Sequence, residues 1–160
     1  MKQIILITTA FLLSSCQSMQ STDPNSLFFS IPPGSTLSLN KAPTISPSNT
    51  HGTIQFGKEI NDHGKNDYEI NCRLDFNKFG PRTIETEDFV ITRTEDGTNW
   101  ISRPSILRFY TEIYLSSNRD TDVIKLVCQQ YGDQIDRNFT VQEMQSALGD
   151  FMTIKYASVK

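Results

Sequence analysis

Few side chains in this 160-residue sequence have reactive chemistry to offer, and their spacing narrows what that chemistry is. Cys72 and Cys128 are far apart, whereas a redox pair would normally show the Cys-x-x-Cys spacing. A zinc site would need two further ligands, and His51 and His63 lie in polar, loop-like stretches. What remains for the two thiols is a structural disulfide or two free sulfhydryls, and the compartment decides between them. Asp62-His63 could be drawn into a nucleophilic triad, but no serine has an elbow context, so Asp62-His63-Gly64 reads as a solvated turn. The carboxylates of Glu85-Thr86-Glu87-Asp88 lack the glycine and spacing of a calcium loop and read as a solvated strand entry. No His-Glu-x-x-His and no phosphate-cradling glycine loop occurs. No cofactor, metal or catalytic residue is therefore expected.

The N-terminus supplies the compartment. Met1-Lys2-Gln3 carries a positive charge, and Ile4 to Leu13 is an apolar run of h-region size, too short to span a bilayer. Leu13-Ser14-Ser15-Cys16 follows. This arrangement resembles the lipobox of bacterial lipoproteins. The resemblance implies that residues 1–15 are a cleaved signal peptide and that Cys16 becomes a thioether to diacylglycerol, with its amine acylated as well. Two or three chains hold a protein stably at a membrane, where one does not. Gln17 stands where an aspartate would favour inner-membrane retention, so the resemblance implies the outer membrane, with the domain in the periplasm. An exported chain with Cys72 and Cys128 left over is expected to join them, which stabilises the fold by roughly 4 kcal/mol in the chain-entropy model.

Residues 16–26 read as the lipidated Cys16 and a flexible polar tether, and residues 27–160 as one domain. That domain is expected to be mainly β, an antiparallel sandwich-like fold with one short helix before the last strand. Short apolar runs broken by proline and glycine carry this expectation: Leu27–Ile31, Thr36–Leu39, Pro43–Ile45 and Thr53–Phe56. Tyr68 to Phe76 alternates, with Cys72 and Leu74 on one face. Glu87 to Thr94 is a further strand, and Asp96-Gly97 marks a hairpin turn. Ile106–Ser116 and Val123–Tyr131 are the longest strands. Thr140-Val141-Gln142-Glu143 fits a capping box opening a helix whose stripe is Val141, Met144, Ala147 and Leu148, with Gly149 as its stop.

Fifteen basic against eighteen acidic residues give a net charge of −3. A nucleic-acid partner would want a basic excess, so none is expected. The only candidate binding face is the row Arg108, Tyr110, Glu112 and Tyr114, whose plainer reading is the solvated outer face of a strand with cross-strand pairs. Trp100 is either an exposed anchor for a partner or a cap on the core, and the core reading is preferred. The function expected is a non-catalytic binding or assembly role for an envelope protein partner. The alternatives are an inhibitor of envelope-cleaving enzymes, like the small β-rich lysozyme-inhibitor lipoproteins though without their Ser-Gly-x-x-Tyr signature, and, further off, an envelope-polymer hydrolase.

Overall fold

The computed structural model describes residues 21–158. The apolar leader, Cys16 and the first residues of the tether lie outside the described residues. The strands are β1 (Thr36–Leu39), β2 (Thr44–Ile45), β3 (His51–Gln55), β4 (Lys58–Ile60), β5 (Asn71–Phe76), β6 (Arg82–Thr83), β7 (Asp88–Ser102), β8 (Ile106–Ser116), β9 (Val123–Gly132) and β10 (Met152–Lys155). One helix, α1 (Val141–Leu148), precedes the last strand. Eight strands form one curled antiparallel sheet in the order β10-β1-β7-β8-β9-β5-β3-β4, and β2 and β6 pair as a small ribbon. The sandwich-like expectation is met by a single sheet that curls round its own core, not by two separate sheets.

Strict alternation explains the central strands. Cys72, Leu74 and Phe76 of β5 are buried, and so are Phe109, Thr111, Ile113 and Leu115 of β8. These side chains enter one core with Leu37, Ile54, Phe89, Ile91 and Leu126. Cys72 lies directly opposite Cys128 in the β5–β9 register, and a disulfide joins them across a sequence separation of 56. In β7 the register shifts between Ile91 and Arg93, leaving Thr92 as the extra residue. Ile91 therefore faces inward against Leu115 while Arg93 faces outward against Tyr114. Thr92 uses its hydroxyl to satisfy the Tyr114 carbonyl (3.1 Å).

Helix α1 closes the concave side. Val141, Met144, Ala147 and Leu148 are its buried stripe. The capping box is present: Glu143 N–H donates to Thr140 Oγ1 (3.1 Å), and Thr140 N–H donates to Glu143 Oε2 (2.7 Å). Gln142 N–H, another free donor of the first turn, reaches Pro24 O (3.1 Å). That bond and the turn at Asp23–Ser26 dock the second half of the expected tether on the domain. α1 touches β10 at one end of the sheet and β3 and β5 near the other. Gly57, in the β3–β4 turn, donates to Ala147 O (2.8 Å), and a Cβ at Gly149 would sit 2.7 Å from Gly57 Cα. Both glycines have positive φ, so each is needed twice over, for conformation and for contact.

Three local expectations are corrected. Asp96-Gly97 is not a turn but lies inside β7, and the hairpin reverses at Arg103–Ser105, where Ser105 N–H donates to Ser102 O (3.0 Å). Gly97 sits opposite Tyr110, whose ring occupies the space a Cβ would need. Tyr68–Ile70 turns ahead of β5 because the buried Gln55 side chain clamps Asn66, donating to its O (2.8 Å) and accepting from its N–H (3.0 Å). Leu27–Ile31 forms no strand. Ile31 alone of that run is buried, while Leu27 and Phe28 stay exposed.

Cys72→Ser and Cys128→Ser should each lower stability by up to about 4 kcal/mol in urea unfolding, and the double variant should lose no more than either single one. Losses that add would exclude the bond. A second expectation concerns acid. The Arg137 guanidinium, helped by the backbone and hydroxyl of Thr140, holds the Glu143 carboxyl down at about 2 against its partial burial. A depressed carboxylate contributes its stability above the unfolded value of about 4.3 and loses it as pH falls through about 2. Glu143→Gln should therefore remove about 1 kcal/mol of stability at neutral pH and flatten the fall on acidification. An unchanged acid profile in pH-dependent unfolding would count against this role.

Candidate functional site

Strand β8 places Arg108, Tyr110, Glu112 and Tyr114 on the convex face of the sheet, as alternation requires. Their chemistry is used internally. The Arg108 Nε donates to Gln129 Oε1 (2.6 Å), and its guanidinium lies 4.6 Å over the Tyr110 ring. Lys125 Nζ and the Tyr114 hydroxyl both donate to the Glu112 carboxylate (2.7 Å each). Partial burial of Glu112 opposes its charge, but those two bonds and the charges of Lys125 and Arg108 outweigh it and hold the carboxyl below its usual range. Arg93 stacks on the Tyr114 ring at 3.5 Å and pairs with Glu95. Val127, buried although it points outward, is covered between Arg73 and Glu112. The row is a roof of cross-strand pairs whose cations already occupy the tyrosine faces.

The polar cleft beside β3, with a volume of about 690 Å³, collects His51, Thr53, Glu59, Asp62 and His63. Asp62–Gly64 forms one turn of 3-10 helix, capped by the Asn61 side chain on His63 N–H (3.0 Å). The turn expected there is present, yet the partner of Asp62 is His51 (2.8 Å to Nε2), not its neighbour His63. The Thr53 hydroxyl donates to the other carboxylate oxygen (2.5 Å). Burial raises the Asp62 carboxyl and these bonds lower it further, so that it stays ionised below its usual range. His51 and Thr53, both on β3, each bind one oxygen of Asp62, so this cluster pins the 61–64 turn to β3. The Glu85 and Glu87 carboxylates go separate ways: Glu85 pairs with Arg119 (2.5 Å) and Glu87 accepts from Ser117 (2.8 Å). Among the described residues no group of three or more His, Cys, Asp or Glu is arranged to hold a metal ion.

The β7–β8 hairpin carries a different surface. Its outer half projects beyond the core, with Thr98–Ser102 exposed. Trp100 is 42% exposed and Ile101 47%, which overturns the preferred core reading of Trp100. Trp100 pairs with Leu107, whereas Arg108 pairs with Asn99, so Trp100 projects from the opposite face to the tyrosine row. The structure does not bring the five expected residues into one patch. Beside the hairpin turn runs the loop after β9, fixed there by Gln134 Nε2 donating to Pro104 O (2.8 Å). Asp136 accepts from Asp133 N–H (2.8 Å) and Asp133 from Ile135 N–H (2.9 Å). Gly132 admits this turn, since a Cβ there would meet Asp136 Oδ2 at 2.6 Å. The tight loop holds Ile135 at 92% exposure. Exposed apolar side chains on ordered backbone have the character of binding anchors.

No protein-family model, curated protein or solved structure matches the chain. The surface must therefore be read from its own chemistry. Ile135 went unread in the sequence, although a lone isoleucine inside the polar run Gly132–Asn138 was the signal for it.

Trp100→Ala should cost less than about 1 kcal/mol in thermal or urea unfolding, because little packing is lost. Ile113→Ala, in the same hairpin but fully buried, should cost about 2–5 kcal/mol. Comparable losses would return Trp100 to the core.

Proposed function

We propose that the protein is an envelope lipoprotein, anchored through Cys16 at the outer membrane, whose β domain has a non-catalytic binding or assembly role on the periplasmic side. The observation that carries this reading is the projecting hairpin tip, where Trp100 and Ile101 stand exposed beside the turn that bears Ile135. Such anchors suit a protein partner with an apolar recess: a flat aromatic and two aliphatic side chains lose little conformational freedom on burial. The charged side chains of the outer face are engaged with one another, and Thr53 is bonded to Asp62, which leaves the exposed apolar side chains as the surface best suited to binding. The Cys72–Cys128 bond suits an oxidising compartment. A second reading, inhibition of an envelope-cleaving enzyme, draws on the same hairpin, because a narrow arm can enter a cleft.

Two measurements test this in order. Intact mass of the protein from its native cell should show a chain beginning at Cys16 with added fatty mass; a chain still beginning at Met1 without that mass removes the anchor. Cross-linked complexes recovered through the wild-type protein should then fall about tenfold for Trp100→Ala and for Ile135→Asp, each checked for an unchanged melting temperature. Complexes that persist in both variants would place the interface elsewhere. Muramidase activity unaffected by micromolar protein would remove the inhibitor reading.

A further inference from the structure

One apolar groove, with a volume of about 510 Å³, runs between the Phe29–Pro33 segment and the chain after β10. Its walls are Phe29, Ile31, Pro32, Pro33, Tyr156 and Ala157, and Phe29 meets Tyr156 edge to face at 5.1 Å. The outer face and the β3 cleft are held by ion pairs and hydrogen bonds between side chains; the walls of this groove are mainly apolar. Beside it stands Phe28, 65% exposed. Ser21 both lines the groove and donates its N–H to Phe28 O (3.1 Å). The described chain thus leaves the domain at the groove itself.

Cys16 lies five residues before Ser21. Even fully extended, five residues span only about 18 Å. An anchor at Cys16 therefore keeps this end of the domain within reach of the bilayer surface, whatever the rest of the domain does. Tyr156 has the amphipathic ring that sits at headgroup level, and phenylalanine and proline beside it offer apolar surface to the upper acyl carbons.

We infer that the face formed by Phe28, Phe29, Pro33 and Tyr156 is the surface on which this domain rests against the lipid bilayer. The inference depends on the Cys16 anchor proposed above. It deepens that reading, because it fixes which side of the domain the membrane takes and leaves the hairpin tip as a separate surface.

The test uses lipidated full-length protein from its native cell, reconstituted in phosphatidylethanolamine–phosphatidylglycerol vesicles that carry shallow nitroxide-labelled lipids. Phe28→Cys receives an environment-sensitive fluorophore, and Phe79→Cys serves as its match. Phe79 is 66% exposed and follows β5 at the end of the sheet opposite the hairpin turn. Both variants must keep the Cys72–Cys128 bond and the wild-type melting temperature. The fluorophore at position 28 should be quenched at least threefold more than that at 79. Equal quenching on protein that floats with the vesicles and carries the fatty mass would overturn the inference and leave the anchor standing. Protein without the mass, which fails to float, would overturn both. Self-quenching between copies at position 28, without lipid quenching, would assign the face to a second copy of the chain and overturn the membrane contact.

Discussion

A sheet that curls this far has two obligations: its concave face must be filled, and its first and last strands must not be left as open edges. Helix α1 meets the first, and at β10 the second. Its apolar stripe fills the concavity with Met144 and Leu148 at the centre. Its polar side reaches the β10 edge, where Gln145 donates to Met152 O (2.8 Å) and accepts from Ile154 N–H (2.8 Å). The side-chain amide thereby occupies backbone positions that an added strand would seek, which blunts the edge against pairing with another chain. Its C-terminal end meets the β3–β4 turn through Gly57 and Gly149, at a separation only glycines permit.

The outside of the sheet shows how charge is distributed once the inside is full. Glu95 and Glu112 lie directly opposite one another on β7 and β8, and each finds a cation, Arg93 on its own strand for Glu95 and Lys125 on β9 for Glu112. Near the bottom of the sheet Asp122 accepts two bonds from Arg82 (2.6 and 2.9 Å) and one from Lys78 N–H (2.6 Å), tying the β8–β9 turn to the β5–β6 loop. Exposed pairs of this sort contribute little stability singly, but they engage the charges of this face with one another. Against that background two apolar surfaces stand out among the described residues, the hairpin tip and the groove at the chain's exit.

What could be read from the sequence follows the physics of each segment. Where one strand face is buried and the other solvated, as in Ile106–Ser116, residue order alone gives the inner and outer sets. The helix was equally plain, because its cap, stripe and terminal glycine all agree. The opposed positions of Cys72 and Cys128 follow from strand pairing, which local pattern does not reveal, although their shared inward facing does. Asp96-Gly97 misled because a dipeptide that favours a turn also suits a strand when a cross-strand aromatic ring needs its missing side chain. Trp100 misled for a related reason. Its alternation phase is inward, but β7 and β8 outrun the core, so an inward direction at that height points past the last buried layer. Its membership of one patch with Arg108 and Tyr110 failed because a residue's face depends on cross-strand register, and Trp100 stands opposite Leu107.

The length of the β7–β8 hairpin is the feature that neither core packing nor closure demands. Its pairing continues from Val90 opposite Ser116 to Ser102 opposite Ile106, well beyond the last fully buried side chain of either strand. Extending an arm into water adds backbone to be ordered at about 1–2 kcal/mol per residue, with few apolar contacts to offset it. Ladder hydrogen bonds, the Tyr110 ring over Gly97 and the brace from Gln134 to Pro104 keep the arm straight. The arm thus holds an exposed tryptophan and isoleucine at a distance from the core. The exit segment reaches β7 at Thr94, where Ser30 Oγ lies 3.4 Å from Thr94 Oγ1, so the exposed stretch Thr98–Ser102 lies beyond that contact and carries the surface on which the proposed binding role rests.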